Sequence, residues 1–171
     1  GLPMTTPALA SAWRREINRA SERAEFDYPD AQGLPALREQ ICDYLRRRRG
    51  VEATPENILV ISGTQQAFAL ASRVLLDAGD RVVLEDPHYR GARQIFASYG
   101  ARVLGVRVDA EGLVPAALPK QASLAVVTPS HQFPTGALLP RSRRVELLEW
   151  ATAKRCWLIE DDYDGEFRFG G

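Results

Sequence analysis

Short apolar runs alternating with longer amphipathic segments constrain this chain more than any other feature. Ile58-Leu-Val-Ile61 is a continuous apolar run of the kind found in strands covered on both faces. Residues 65–77 follow at helical spacing, and Gly79 stops them. The pattern recurs as strand 81–84, helix 90–99 closed by Gly100, strand 102–108, strand 124–127, helix 141–155 and a last strand from Cys156 to Ile159. Asp109-Ala-Glu-Gly112 reads as a turn before the fourth of these strands. Strand and helix in repetition predict an α/β fold with a mostly parallel sheet and helices on both faces.

Two helices precede the alternation. Thr6-Pro7 is the N-cap and first position of one, which carries Trp13 and Ile17 on a single face. A polar connection, Glu25 to Gly33, leads to Pro35, which opens a second helix with Leu37, Ile41, Tyr44 and Leu45 at one-face spacing, ending at Gly50. No internal repeat, low-complexity stretch or interdomain linker interrupts the 171 residues, which are expected to form one domain. A domain of this size buries roughly 70% of the surface its unfolded chain exposes.

Lysine plus arginine and aspartate plus glutamate both number 22, so no net field selects nucleic acid or an anionic membrane as partner. Arg46-Arg47-Arg48-Arg49 closes a helix, where cations complement the helix dipole. Cys42 and Cys156 share no metal-binding spacing with each other or with His88 and His131, so no metal site is expected. Two thiols, no leader-like start and no apolar run of membrane length predict a reducing, cytoplasmic setting without a membrane partner.

Candidate chemistry gathers in loops at strand ends, where open α/β sheets bind ligands. Ser62-Gly63-Thr64-Gln65-Gln66 offers free amides at a helix start, a glycine and a hydroxyl, which suit a phosphate; Thr64 serves equally as an N-cap. Glu85-Asp86-Pro87-His88-Tyr89 brings an aromatic ring to the same edge, for stacking on a flat ligand or for packing on the next helix. Residues 128–136, Thr-Pro-Ser-His-Gln-Phe-Pro-Thr-Gly, add the His131 imidazole, an amide and hydroxyls. The last strand empties into Glu160-Asp161-Asp162-Tyr163-Asp164. No serine has a base and orienting carboxylate at triad spacing. A phosphate at Gly63 and Thr64, a ring against Tyr89 and a carboxylate for a ring nitrogen describe a flat, phosphorylated, basic ligand, and pyridoxal 5'-phosphate has these properties. A Mg²⁺ site built on Asp161 and Asp162 is a competing expectation that leaves the other loops unexplained.

The stretches SGTQQA, EDPHY, TPSHQFPTG and EDDYDGEFRF, in that order, resemble the large domain of fold-type-I pyridoxal-phosphate-dependent aminotransferases. They most closely resemble the aminotransferase-like domain of MocR-type regulators in the GntR superfamily, and the match covers nearly the whole chain. The resemblance implies that Gly63, Thr64 and Gln65 hold the cofactor phosphate and that Tyr89 stacks on the pyridine. It gives Asp161 the ring nitrogen, with Asp162 left as an alternative, and Tyr163 the phenolic oxygen. Tyr28, five residues before Gly33, matches a tyrosine that reaches the phosphate across a homodimer, so residues 1–33 read as a helix and dimer arm and 34–171 as the core.

Two departures accompany the resemblance. Phe133 stands where many transaminases carry an asparagine, so the contact to the phenolic oxygen is lost or supplied by His131 or Gln132. The only lysines, Lys120 and Lys154, do not occupy the Schiff-base position, so no catalytic residue is assigned and the chain alone is expected not to transaminate. These features imply part of a longer protein whose intact form senses an amino acid or amine effector and engages DNA through a separate N-terminal domain. A genuine aminotransferase, moving an amino group between an amino acid and a 2-oxo acid, is the alternative.

Overall fold

A computed structural model describes residues 6–22, 28 and 30–165. They fall into two compact units, divided between Val60 and Ile61.

In the first unit, helix α1 (Pro7–Ser21) starts as the sequence predicts, with the Thr6 hydroxyl accepting from the Leu9 amide at 3.2 Å. Its stripe of Leu9, Trp13 and Ile17 stays 53%, 67% and 49% exposed, so the amphipathic face forms without being covered by the described residues. Helix α2 (Pro35–Arg49) ends at Gly50, whose φ of 64° is the left-handed turn that glycine accepts at least cost. The buried positions of α2 are Arg38 and Cys42, whereas Leu37 and Tyr44 remain 43% and 40% exposed. Arg38 turns the helix this way because its guanidinium collects four partners. It donates to the carbonyls of Gly33 (3.1 Å) and Pro55 (3.0 Å), to Gln32 Oε1 (3.1 Å) and to Asp30 Oδ2 (3.0 Å).

The strand expected at Ile58–Ile61 is absent. Ile58 N donates to Pro55 O at 3.2 Å and Val60 N to Gln32 O at 2.8 Å, which are isolated bonds and not a ladder. An apolar run becomes a strand only where a neighbour pairs its main-chain groups.

The second unit holds the sheet. Helix α3 (Thr64–Leu75) is followed by β1 (Arg81–Asp86), α4 (Arg90–Ser98), β2 (Arg102–Asp109), β3 (Gly112–Leu113), β4 (Leu124–Val127), α5 (Arg141–Lys154) and β5 (Trp157–Glu160). The spatial order is β3-β2-β1-β4-β5, parallel throughout except for the short β2–β3 hairpin. The turn predicted at 109–112 is this hairpin; β3 escapes the sequence because two residues carry no periodicity.

Alternation along β1 divides the core. Val82 and Leu84 pack with Phe68 of α3, Ala92 and Phe96 of α4, Leu124 and Val126 on one face. Val83 faces the opposite layer, with Ala125, Val127, Leu139, Leu147 and Ala151, under α5. The Phe68 and Phe96 rings meet at 5.3 Å and both are almost fully buried, each contributing roughly 1.5–3 kcal/mol of transfer free energy. Helices therefore cover both faces, as the alternation predicts. No helix among the described residues is long and apolar enough to cross a membrane.

Arg143 of α5 ties this layer to the hairpin by a forked pair with Asp109 (2.7 and 2.9 Å) and a bond to Glu111 (3.1 Å). Hydrogen bonding from that guanidinium, then from the Glu111 amide, pulls the Asp109 carboxyl from 3.8 to about 2. A depressed carboxylate stabilises the fold above its unfolded pKa and ceases to do so as pH falls through its folded one. The contact should therefore be intact above about pH 4 and lost as pH falls to about 2. Carboxyl NMR titration should place Asp109 near 2 in the native chain and return it toward 3.8 in Arg143→Met. Identical titrations in both proteins would remove Arg143 as the cause.

Candidate functional site at the strand ends

Chain order reverses about β1: β2 lies on one side of it and β4 on the other. Such a reversal opens a crevice beyond the carboxyl ends of the strands. Glu85 and Tyr89 enter it from the end of β1, Thr128 and Phe133 from the end of β4, and Asp161 from the end of β5.

The loop after β4 is shaped by two buried polar side chains. Gln132 is 1% exposed and Glu85 is 4% exposed. Gln132 Nε2 donates to Glu85 Oε2 (3.1 Å), Pro87 O (2.9 Å) and Phe133 O (2.7 Å), while its Oε1 accepts from the amide (3.1 Å) and hydroxyl (2.6 Å) of Thr135. Glu85 Oε2 also accepts from the hydroxyl (2.5 Å) and amide (3.3 Å) of Thr128. Burial pushes the Glu85 carboxyl up, and the donors from Thr128 and Gln132 only partly offset this. Arg144 of α5 fastens the loop from outside, donating to Leu139 O (2.9 Å) and Pro129 O (2.8 Å). Asp86-Pro87 and Phe133-Pro134 are cis.

This network settles what Gln132 does. Proposed from sequence as a substitute for the missing asparagine, its amide is instead fully engaged in holding the loop. His131 points elsewhere: its ring stacks on Tyr163 at 5.8 Å, and its Nδ1 pairs with Asp164 Oδ2. Gly136, with φ of 78°, lies close beneath His131, where an added Cβ would sit 3.1 Å from Nε2.

Tyr89 is half-exposed, with its ring lying over Gly91 and edge-on to Phe133 at 6.3 Å. Its hydroxyl accepts from Gln65 Nε2 at 2.8 Å, which joins the start of α3 to the start of α4. Phe133 is also edge-on to Tyr163, at 6.0 Å. At the start of α3, Gly63 takes φ of 145°, and Gln66 Oε1 accepts from the amide (2.6 Å) and hydroxyl (2.8 Å) of Ser62. The amides of Thr64 and Gln65 have no acceptor within their own helix, as at any helix start.

Asp161 continues the β4–β5 ladder through its amide, which donates to Val127 O at 2.9 Å, and its carboxylate is half-buried at the crevice. Burial, and secondarily the Asp162 charge, raise its pKa. The Tyr163 phenol is raised by burial, then by the charges of Asp164, Asp161 and Glu85, so it stays protonated. His88 Nδ1 donates to the Glu85 carbonyl at 2.8 Å, and its Nε2 is buried without a partner.

Tyr89 and Asp161 thus share one crevice, Gln65 touches Tyr89, and Tyr163 borders Phe133. His131, Gly63 and Thr64 do not line that crevice. Asp162 does not line it either. Tyr28, 99% exposed, belongs to the first unit; residues 166–169 of the last motif and residues 23–27 and 29 near Tyr28 lie outside the described residues. Among the described residues no group of three or more His, Cys, Asp or Glu converges on a metal position. Lys154 lines a groove at the opposite end of the sheet, with Arg81, Ser123 and Trp157 at the starts of β1, β4 and β5; Gln121, next to Lys120, lines the same groove. The sequence left the building roles of Glu85 and Gly91 unread and offered Gln132 only as a possible partner of the phenolic oxygen. An acid closing an otherwise apolar run, Val82-Val83-Leu84-Glu85, was the available signal.

The family model for aminotransferase class I and II matches residues 4–171. The HTH-type pyridoxine biosynthesis transcriptional regulator PdxR of Corynebacterium glutamicum is 41% identical over 171 residues, 100% of this chain and 37% of the relative. The probable rhizopine catabolism regulatory protein MocR of Rhizobium meliloti is 38% identical, over 100% of this chain and 36% of its own. Among solved structures, LysN, an alpha-aminoadipate aminotransferase of Thermus thermophilus complexed with N-(5'-phosphopyridoxyl)-L-leucine, superposes with a TM-score of 0.80. It is 33% identical, over 95% of this chain and 41% of that one. The chain thus spans well under half the length of these relatives.

Proposed function

Because this chain belongs to the aminotransferase class I and II family, we propose that its strand-end crevice binds pyridoxal 5'-phosphate as the effector-sensing part of a MocR-type transcriptional regulator. One observation carries the proposal: a half-exposed aromatic ring, Tyr89, and a half-buried carboxylate, Asp161, line the same small pocket at the strand ends. The donor set fits the group. A pyridine nitrogen is basic, a phosphate accepts hydrogen bonds, and a flat ring needs a surface to lie on.

The chain's own residues then have distinct tasks. Gly63 and Thr64 present helix-start amides and a hydroxyl to the phosphate. Tyr89 supplies the stacking surface. Ionised Asp161 would accept a hydrogen bond from the ring N–H and so hold the proton on that nitrogen, an arrangement that offsets the unfavourable burial of a lone charge. Tyr163, held protonated, donates to the phenolic oxygen, and His131 sets Tyr163 by stacking against it. When bound, the cofactor supplies an electron sink for amino-acid chemistry.

Two further parts of the proposal concern the intact protein. Tyr28 reaches the cofactor phosphate of a second copy in a homodimer, and DNA is engaged by a segment outside these 171 residues. The regulators named above support a DNA-engaging segment, and the sensed ligand of this proposal is an amino acid or amine. The likeness to LysN supports a second function, amino-group transfer to a 2-oxo acid by the intact protein. The groove that holds Lys154, and Gln121 next to Lys120, lies at the opposite end of the strands from Asp161, which speaks against either lysine serving it. Turnover of an amino acid and oxo acid pair by the intact protein separates the two.

The test is Asp161→Asn. A hydrogen bond to a charged group contributes about 1.5–3 kcal/mol, so affinity for the cofactor, read by absorbance titration, should fall roughly 10- to 150-fold. In the native chain, affinity should fall as pH drops through the raised Asp161 pKa, that is, at a pH above 3.8. Unchanged affinity in Asp161→Asn would reject the assignment.

A further inference from the structure

Resting on the cofactor site proposed above, we propose that Gln65 is the positioning residue of the Tyr89 ring, acting through its side-chain amide and not on the cofactor phosphate. The resemblance to transaminases placed Gln65 among the phosphate holders. Its side chain is used otherwise: Nε2 donates to the Tyr89 hydroxyl at 2.8 Å.

Three contacts define where the ring lies. Gly91 supports it from below so closely that an added Cβ would come within 2.5 Å of Cε1 and Cζ and 2.6 Å of the hydroxyl oxygen. Phe133 meets its edge at 6.3 Å with the ring planes at 82°. These two contacts are apolar and allow the ring to slide or tilt. The bond from Gln65 is directional and fixes the tip. Tyr89 is nevertheless 40% exposed, so the ring keeps a surface for a ligand.

The bond also joins two helix starts. Gln65 is the second residue of α3, whose first amides face the proposed phosphate position, and Tyr89 caps α4. The backbone of Gln65 thus stands at the anion while its side chain aims the stacking platform, so the separation between phosphate and ring is set by one residue.

The test uses the full chain with Gln65→Leu, Tyr89→Phe and the double variant, titrated with pyridoxal phosphate and with pyridoxal, which lacks the phosphate. If Gln65 acts through the ring, Gln65→Leu weakens both ligands by a similar factor, about five- to tenfold for one hydrogen bond. Tyr89→Phe does the same, and the double variant is no worse than either single one. A loss confined to pyridoxal phosphate, or additive losses, would overturn the inference and return Gln65 to the phosphate.

A second measurement needs no cofactor. The Gly91 α-proton in the place of the absent Cβ lies against the Tyr89 ring, so its NMR shift is displaced by the ring current. Gln65→Leu should move that signal toward an ordinary glycine position, and an unmoved signal overturns the inference. Failure of the native chain to bind pyridoxal phosphate would remove the cofactor site, while the Gly91 signal would still decide the role of Gln65.

Discussion

Gln132→Leu should destabilise the second unit by about 3–5 kcal/mol, among the largest effects a single side chain can have here. The substitution retains much of the volume and removes every polar contact of a side chain that is 1% exposed. Pro87 O and Phe133 O lose a donor, the Thr135 amide and hydroxyl lose an acceptor, and Glu85 is left with Thr128 alone. Several groups are then unpaired at once, at about 1–3 kcal/mol each before relaxation.

The pH dependence has a definite sign. A carboxyl whose folded pKa is raised contributes stability below its unfolded value, and loses it as pH rises through the folded one. Glu85 is raised by burial, and removing the Gln132 donor raises it further. The deficit of Gln132→Leu should therefore shrink as pH falls toward the raised Glu85 pKa. Urea unfolding of both proteins at neutral and at acid pH measures this. A deficit under about 1 kcal/mol would show that the amide is dispensable, and one that grows in acid would exclude Glu85 as the group it serves.

Arg38→Met is the counterpart in the first unit. Methionine keeps an apolar stem in place but abandons Gly33 O, Pro55 O, Gln32 Oε1 and Asp30 Oδ2. Removing one partner of a largely buried charged pair costs about 3–5 kcal/mol, and Asp30, 42% exposed, lowers that figure because water can replace its partner. A loss of about 2–4 kcal/mol is expected. It should appear locally. The amides of Gly33, Asn57 and Val60, bonded to Asp30 O, Thr54 O and Gln32 O, should exchange with solvent far faster than in the native chain. Unchanged exchange at these three amides would mean that the turns hold without Arg38.

What the sequence revealed and concealed follows one physical division. Leu124–Val127 was predicted with its observed bounds because four consecutive apolar residues between polar turns have nowhere to go but a covered strand. Helices α2 and α5 were placed within a residue at each end, since Pro35, Gly50 and Pro140 act locally. The run at Ile58–Ile61 looks the same as β4 in sequence, yet pairing is a property of the neighbour and not of the run. Burial of Arg38 and Gln132 was illegible for a related reason: a polar side chain goes inside only where several carbonyls arrive together, and those carbonyls come from distant residues. At the crevice, the residue types at strand ends were readable. The contact of Gln65 with Tyr89 and the support beneath it were not, because both depend on how α3 and α4 approach each other.

The position of β1 at the middle of the sheet has a mechanical consequence. Its side chains are locked into both layers, so displacing Glu85 or Tyr89 would mean loosening two cores at once. By contrast β5, among the described residues, pairs with β4 alone, its Leu158 and Ile159 are only partly buried against the two cores, and Trp157 stands 60% exposed. Asp161 and Tyr163 leave from that lightly held strand. Within the described residues the crevice thus has a stiffer wall at β1 and a more compliant one at β5, and a shape change provoked by a bound molecule would be taken up on the β5 side.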